Sequence, residues 1–194
     1  MSDFWFYFKM GLEHVLDWQA YDHILFFIVL TVPYEFRNWQ RTLLLVTLFT
    51  LGHTTSLILS VYEVVSVDSG LVEFLIPCTI FVSALYNVFT AGKSGKKDRF
   101  NLLLFAALFF GLIHGLGFSS FFKMLTAHLD SKMLPLLEFA LGIEASQIIV
   151  VLVVLVLNLI FQGVFRFSRR DWVLFISAVV IGIVIPMLMA TYPW

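Results

Sequence analysis

The sequence predicts an all-α fold: a polytopic membrane helical bundle of about six transmembrane helices, preceded by an N-terminal interfacial helix. Three observations carry this expectation. Of 194 residues, 60% are hydrophobic, 17% are aromatic and only 13% are charged, where a soluble domain has ~25% charged residues. The mean hydropathy is +0.95. Six apolar stretches approach the ~20 residues that a helix needs to cross ~30 Å of hydrocarbon. No polar segment between them is long enough for a second domain, so residues 1–194 read as a single membrane domain.

In chain order, residues 3–17 are aromatic-rich (FWFYFKM) and suit a helix lying at the membrane surface. The apolar spans follow at about 20–35, 42–62, 71–91, 100–122, 134–161 and 172–190. The fifth is long enough to tilt or to extend past the bilayer. No basic stretch with a small-residue cleavage site opens the chain, so the first span is expected to insert itself. No sequence repeat is visible. The single cysteine, Cys78, lies in an apolar run and reads as a buried, inert thiol.

The basic residues are segregated. Arg37 and Arg41, then Lys93, Lys96, Lys97 and Arg99, then Arg166, Arg169 and Arg170 fall in connections on one side of the bundle. Only Lys9, Lys123 and Lys132 fall on the other. The positive-inside rule makes the first side cytoplasmic. The expected location is therefore the inner (cytoplasmic) membrane, multi-pass, with both termini outside. The formal net charge of −1 adds little, and no nucleic-acid partner is expected.

Against this apolar background a few polar side chains stand out. His14, Asp17, Asp22 and His23 crowd into ten residues ahead of the uncharged run Ile24–Tyr34. His53, His114 and Glu144 each lie within a later span. An ionised side chain in hydrocarbon costs at least ~2.5–3.5 kcal/mol, so these groups should face the bundle interior and have partners. A single intramembrane histidine is often just an interhelical strut. Several at one depth on different spans point instead to a shared site. Imidazole nitrogen with carboxylate oxygen suits Zn²⁺, Ni²⁺, Co²⁺ or Fe²⁺. The candidate metal ligands are His14, Asp22, His23, His53, His114 and Glu144. Asp17 is a candidate to orient a ligating imidazole, and Gln147, three residues after Glu144, to orient that carboxylate.

Helical spacing sets a condition on the first group. Asp22 returns to about 80° from His14 on a continuous helix, whereas His23 points nearly opposite. Either the chain bends around Trp18–Ala20, or one of His14 and His23 stands behind the ligands. Gly52 beside His53, and Gly111, Gly115 and Gly117 around His114, permit close helix approach. Asn87 and Asn158, toward the basic side, could mark an inward path. Glu73 and His128 read as solvent-facing. Glu63, Asp68 and Asp130 add negative charge on the outer side.

At four blocks the sequence resembles the HupE/UreJ family of hydrogenase- and urease-accessory membrane proteins, which are regarded as nickel permeases. The blocks are GLEHVLDWQAYDHILF at 11–26, FTLGHTTSLILS at 49–60, FGLIHGLGFSS at 110–120 and FALGIEASQ at 139–147. The resemblance implies a small helical bundle that handles a divalent metal, nickel or zinc by its ligand chemistry. Its polar positions here are His14, Asp22, His23, His53, His114, Glu144 and Gln147. It also implies partnership with metalloenzyme maturation proteins.

Three functions fit these residues. The first is binding and transport of a divalent transition metal through an intramembrane His/carboxylate site. Six spans are few for an alternating-access monomer, which leaves a homo-oligomer open. The second is a membrane-embedded, zinc-type hydrolase acting on a lipid or peptide, with Glu144 or Asp22 as general base. The third is a metal sensor, or a structural polar core without flux.

Overall fold

The computed structural model describes residues 3–93 and 97–193, with side chains from Phe4 onward except those of residues 97–99. Lys96 and the side chains of Lys97 and Arg99 thus lie outside the described residues. Within them all regular structure is helical: α1 (Asp3–Leu16), α2 (Asp22–Thr31), a 3-10 turn (Phe36–Asn38), α3 (Trp39–Val61), α4 (Ser69–Thr90), α5 (Lys97–Gly117), α6 (Ser119–Leu125), α7 (Met133–Gly163) and α8 (Arg169–Ala190). Five are long and apolar enough to cross a membrane: α3 with its leading turn, α4, α5, α7 and α8. The protein is a helical membrane bundle with several membrane-spanning segments.

The first expected span differs from the rest. Its helix, α2, has ten residues, about 15 Å of rise, against ~30 Å of hydrocarbon. The helix before it, α1, also packs into the bundle. Phe4, Trp5 and Phe6 are exposed, as an interfacial helix would leave them, but Tyr7 and Val15 on the other face are buried. Gly11 meets α7 so closely that a Cβ there would overlap the Phe139 carbonyl oxygen. A Cβ on Gly142 would likewise overlap the Phe8 carbonyl. Further along, Asn158 of α7 reaches the carbonyls of Val32 and Tyr34. The chain from Phe8 to Tyr34 therefore packs along α7, with a break between α1 and α2 at Asp17–Tyr21.

The same contact recurs between α3 and α5. A Cβ on Gly52 would overlap the Leu108 carbonyl, one on Gly111 that of Phe49, and one on Gly115 that of His53. In both crossings each glycine meets the carbonyl three residues before its partner glycine. The local pattern is Phe8–Gly11, Phe49–Gly52, Leu108–Gly111 and Phe139–Gly142. It is too short to show as a sequence repeat, but it sets both close approaches. Around these pairs, α4 packs on α2, α5 and α8. Cys78 of α4 is half-buried rather than enclosed.

Both ends of α2 have physical causes. At its start, Asp17 Oδ1 accepts the Gln19 N–H at 2.8 Å, a side-chain turn that competes with helix. At its end stands Pro33, which has no N–H to carry the helix on. Val29 O loses its i+4 donor there, and carbonyls left bare at membrane depth are costly. Later helices satisfy them. Asn87 Nδ2 donates to Val29 O at 2.7 Å. Asn158 Nδ2 donates to Tyr34 O at 2.9 Å and Val32 O at 3.3 Å. Arg169 donates to Pro33 O through Nε at 3.1 Å and also through Nη2. Trp172 Nε1 in turn donates to Asn158 Oδ1 at 2.6 Å. Asn87 and Asn158, expected as markers of an inward path, thus finish a helix. Asn158→Leu is expected to cost about 1–3 kcal/mol through the carbonyls it strands, read as a lower melting temperature; a wild-type melt would remove this role.

Candidate metal centre

The break between α1 and α2 settles the helical-spacing condition. With the chain turned at Asp17–Tyr21, His14 from α1 and His23 from α2 face each other, their ring centroids 4.6 Å apart. His53 of α3 lies 5.8 Å from His14 and 5.9 Å from His23, centroid to centroid. His114 of α5 lies 5.1 Å from His23. The glycine crossing places His53 and His114 beside one another's helices: Gly52 precedes the one, and Gly111 and Gly115 bracket the other.

Potential ligand atoms fall into two triads. One nitrogen each from His14, His23 and His53 lie within 4.8 Å of one another, and so do ligand atoms of Asp22, His23 and His114. The triads share His23. His53 and His114 each close on His23, and neither triad contains both.

Hydrogen bonding sets which nitrogens are free. Thr79 Oγ1 gives its one proton to Ile76 O at 2.7 Å, so towards His114 Nε2, 3.0 Å away, it accepts. That places the His114 proton on Nε2 and its lone pair on Nδ1. Asp22 Oδ1 sits 3.3 Å from His23 Nδ1, which leaves Nε2 as the lone pair of that ring. His14 Nε2, His23 Nε2, both nitrogens of His53 and His114 Nδ1 are buried with no hydrogen-bond partner. Interhelical struts would have partners on a second helix; here only the Thr79 side of His114 does. Buried polar atoms are paired in the great majority of cases, so this convergence is a donor set without its acceptor. Imidazole lone pairs with one carboxylate would accept a borderline divalent ion.

The candidate carboxylates separate. Asp22 is within a triad. Glu144 is not: its Oε1 accepts from Thr47 Oγ1 at 2.6 Å and its Oε2 from Thr50 Oγ1, which ties α7 to α3 one turn before His53. Thr50 Oγ1 also lies 2.7 Å from Gln147 Oε1, while the buried Gln147 Nε2 has no partner. One hydroxyl proton cannot serve both acceptors. Turning the amide over lets Gln147 donate to Thr50 and Thr50 donate to Glu144. Gln147 therefore orients Glu144 through Thr50. Asp17 is exposed and engaged in its turn, not behind an imidazole. The hydroxyls near the deep histidines bond back to their own helices, Thr55 to Leu51 O and Ser56 to His53 O. Glu73 and His128 are exposed, as expected. Glu138 was passed over in the sequence: it is 6% exposed with Oε2 unpartnered. Its place four residues before Gly142, on the face turned to α1, was the available signal.

A vestibule leads to the histidines from the α1 side. It is open, with a volume of 620 Å³, reaches His14 and carries Glu13 and Asp17 at its walls. Beyond the triads Phe26, Phe27 and Phe49 are fully buried and pack around the imidazoles, Phe49 with its ring centroid 6.2 Å from that of His23. A separate crevice of 250 Å³ between α2, α4 and α5 holds neither imidazole nor carboxylate.

Five helices long and apolar enough to cross a membrane, with buried imidazoles gathered where α1 gives way to α2, define the class: a multi-pass membrane protein with a candidate metal centre among its helices. The chain belongs to the HupE/UreJ family, described as HupE / UreJ protein, whose match extends over residues 1–192. Comparison with curated proteins and with solved structures gave no match.

Proposed function

We propose that this protein binds a divalent transition metal, nickel in view of its family, and carries it across the inner membrane. One observation carries the reading: four histidines from four helices turn unpartnered ring nitrogens toward one buried region at the foot of a vestibule. Glu13, Asp17 and Asp22 make the approach favourable to a cation. Interrupted helices at ligand sites are a device of membrane transporters, because the break frees groups that a continuous helix would hide. Glu144 acts from one turn away, holding α3 against α7 and adding negative charge. The basic connections face the cytoplasm and both termini face out. An impermeant thiol reagent should then fail to label Lys93→Cys in intact cells, in a Cys78→Ser background; labelling there would reverse the orientation.

The test uses purified protein, in detergent and in liposomes. Added Ni²⁺ or Zn²⁺ should stabilise it by about 2.7 kcal/mol at one hundred times the Kd, and liposomes should take up the ion. Protons compete for the same lone pairs, so affinity should fall as pH is lowered. Stabilisation without uptake would make the protein a sensor. Neither effect would leave the imidazoles as a polar core.

A further inference from the structure

We propose, on the metal reading above, that the pocket has two ion positions sharing His23, and that a single ion is passed from one to the other with His23 as the ligand common to both. The vestibule position is His14, His23 and His53; the inner position is Asp22, His23 and His114.

Three observations carry this. Metal–imidazole bonds of about 2.0–2.1 Å require ligating nitrogens within ~4 Å of one another, and the two triads each approach that limit without having His53 and His114 in common. With its Nδ1 proton directed at Asp22, His23 has one lone pair, on Nε2, so it serves one position at a time. The positions also differ in surroundings. His14 lines the vestibule, whereas His114 packs against Phe26 and Phe49, with ring centroids 5.4 and 5.0 Å away.

Their chemistry gives the transfer a direction. Three neutral imidazoles leave both charges of the ion uncompensated, while Asp22 neutralises one of them at the inner position. Desolvated charge is better tolerated with an opposite charge in contact. Asp22 changes task during the step: it orients His23 while the ion is outside, and ligates through its second oxygen once the ion is in. His114, held by Thr79, is a fixed acceptor for the arriving ion. His53, with no hydrogen bond on either nitrogen, is free to release it.

Co²⁺ bound to the full-length protein tests this, since its absorption and X-ray absorption spectra distinguish nitrogen from oxygen ligation. Wild type should hold one ion per chain. His114→Gln should retain one ion in an all-nitrogen shell, and His14→Gln one ion with a carboxylate oxygen, each weakened about 10–100-fold. His23→Gln and the double variant His14→Gln/His114→Gln should hold none. Metal-free melting curves verify folding, and asparagine replaces glutamine in any variant that fails to fold. Two ions per wild-type chain, loss of all binding in either single variant, or identical spectra from the two would each overturn the two-position arrangement while leaving a metal protein. Wild type that binds no Co²⁺ would instead sink the metal reading beneath it.

Discussion

Replacing His53 with leucine is expected to stabilise the metal-free protein and, in the same variant, to abolish most of the stabilisation given by added nickel. The two effects have one cause. His53 is fully buried in the core of the α3–α5 crossing, and neither of its nitrogens has a partner. A buried polar group left unpaired costs about 1–3 kcal/mol, and leucine of similar bulk removes that cost without opening a cavity. The melting temperature without metal should therefore rise. Removing a ligand should weaken metal binding at least as much as the ~10–100-fold typical of an orienting neighbour. Opposite signs separate a ligand from a strut, because loss of a strut lowers stability with or without metal. A variant less stable than wild type in the absence of metal would show that His53 is paired in solution.

Gly52→Val is expected to damage both the fold and the site. Any Cβ there would overlap the Leu108 carbonyl, with Leu112 N also in contact. These are backbone atoms of a helix and cannot rotate away. Overpacking of this kind costs about 1–3 kcal/mol, and the β-branched side chain demands the larger shift. Because His53 follows Gly52 directly and His114 is on the helix pushed outward, metal affinity should fall together with the melting temperature. Gly163→Val makes the control, since a Cβ at Gly163 would meet nothing within 4 Å. Wild-type stability in Gly52→Val would mean that α3 and α5 are not in backbone contact.

How much of this was legible in the sequence depended on the kind of signal. Long apolar helices and segregated basic connections were plain, because each rests on many residues. His14, His23, His53 and His114 were legible as a group, since imidazoles are rare in spans and need a reason to be there. The division into two triads was not. It depends on which ring nitrogen bonds to Asp22 and which to Thr79, and spacing says nothing about either. The packing of α1 was hidden as well: its aromatic residues give no sign of the contact with α7, and Gly11 and Gly142, which meet there, are far apart in the sequence. Glu144 shows how little depth alone fixes. Its depth suggested a ligand, but depth does not fix direction around the helix, and Thr47 and Thr50 claim both of its oxygens.

The manner in which α2 is finished bears on how the protein is made. Its last carbonyls are satisfied by Asn87, Asn158 and Arg169, which belong to α4, α7 and α8 in that order. During synthesis the half-helix leaves the ribosome first, yet its final donor arrives only when residue 169 does. A nascent chain therefore carries an incomplete first span through nearly all of its insertion, and that span settles only on arrival of the last helix. A chain cut short before α8 would keep the Asn87 and Asn158 contacts and lose the Arg169 contact to Pro33 O, at the opposite end of α2 from His23.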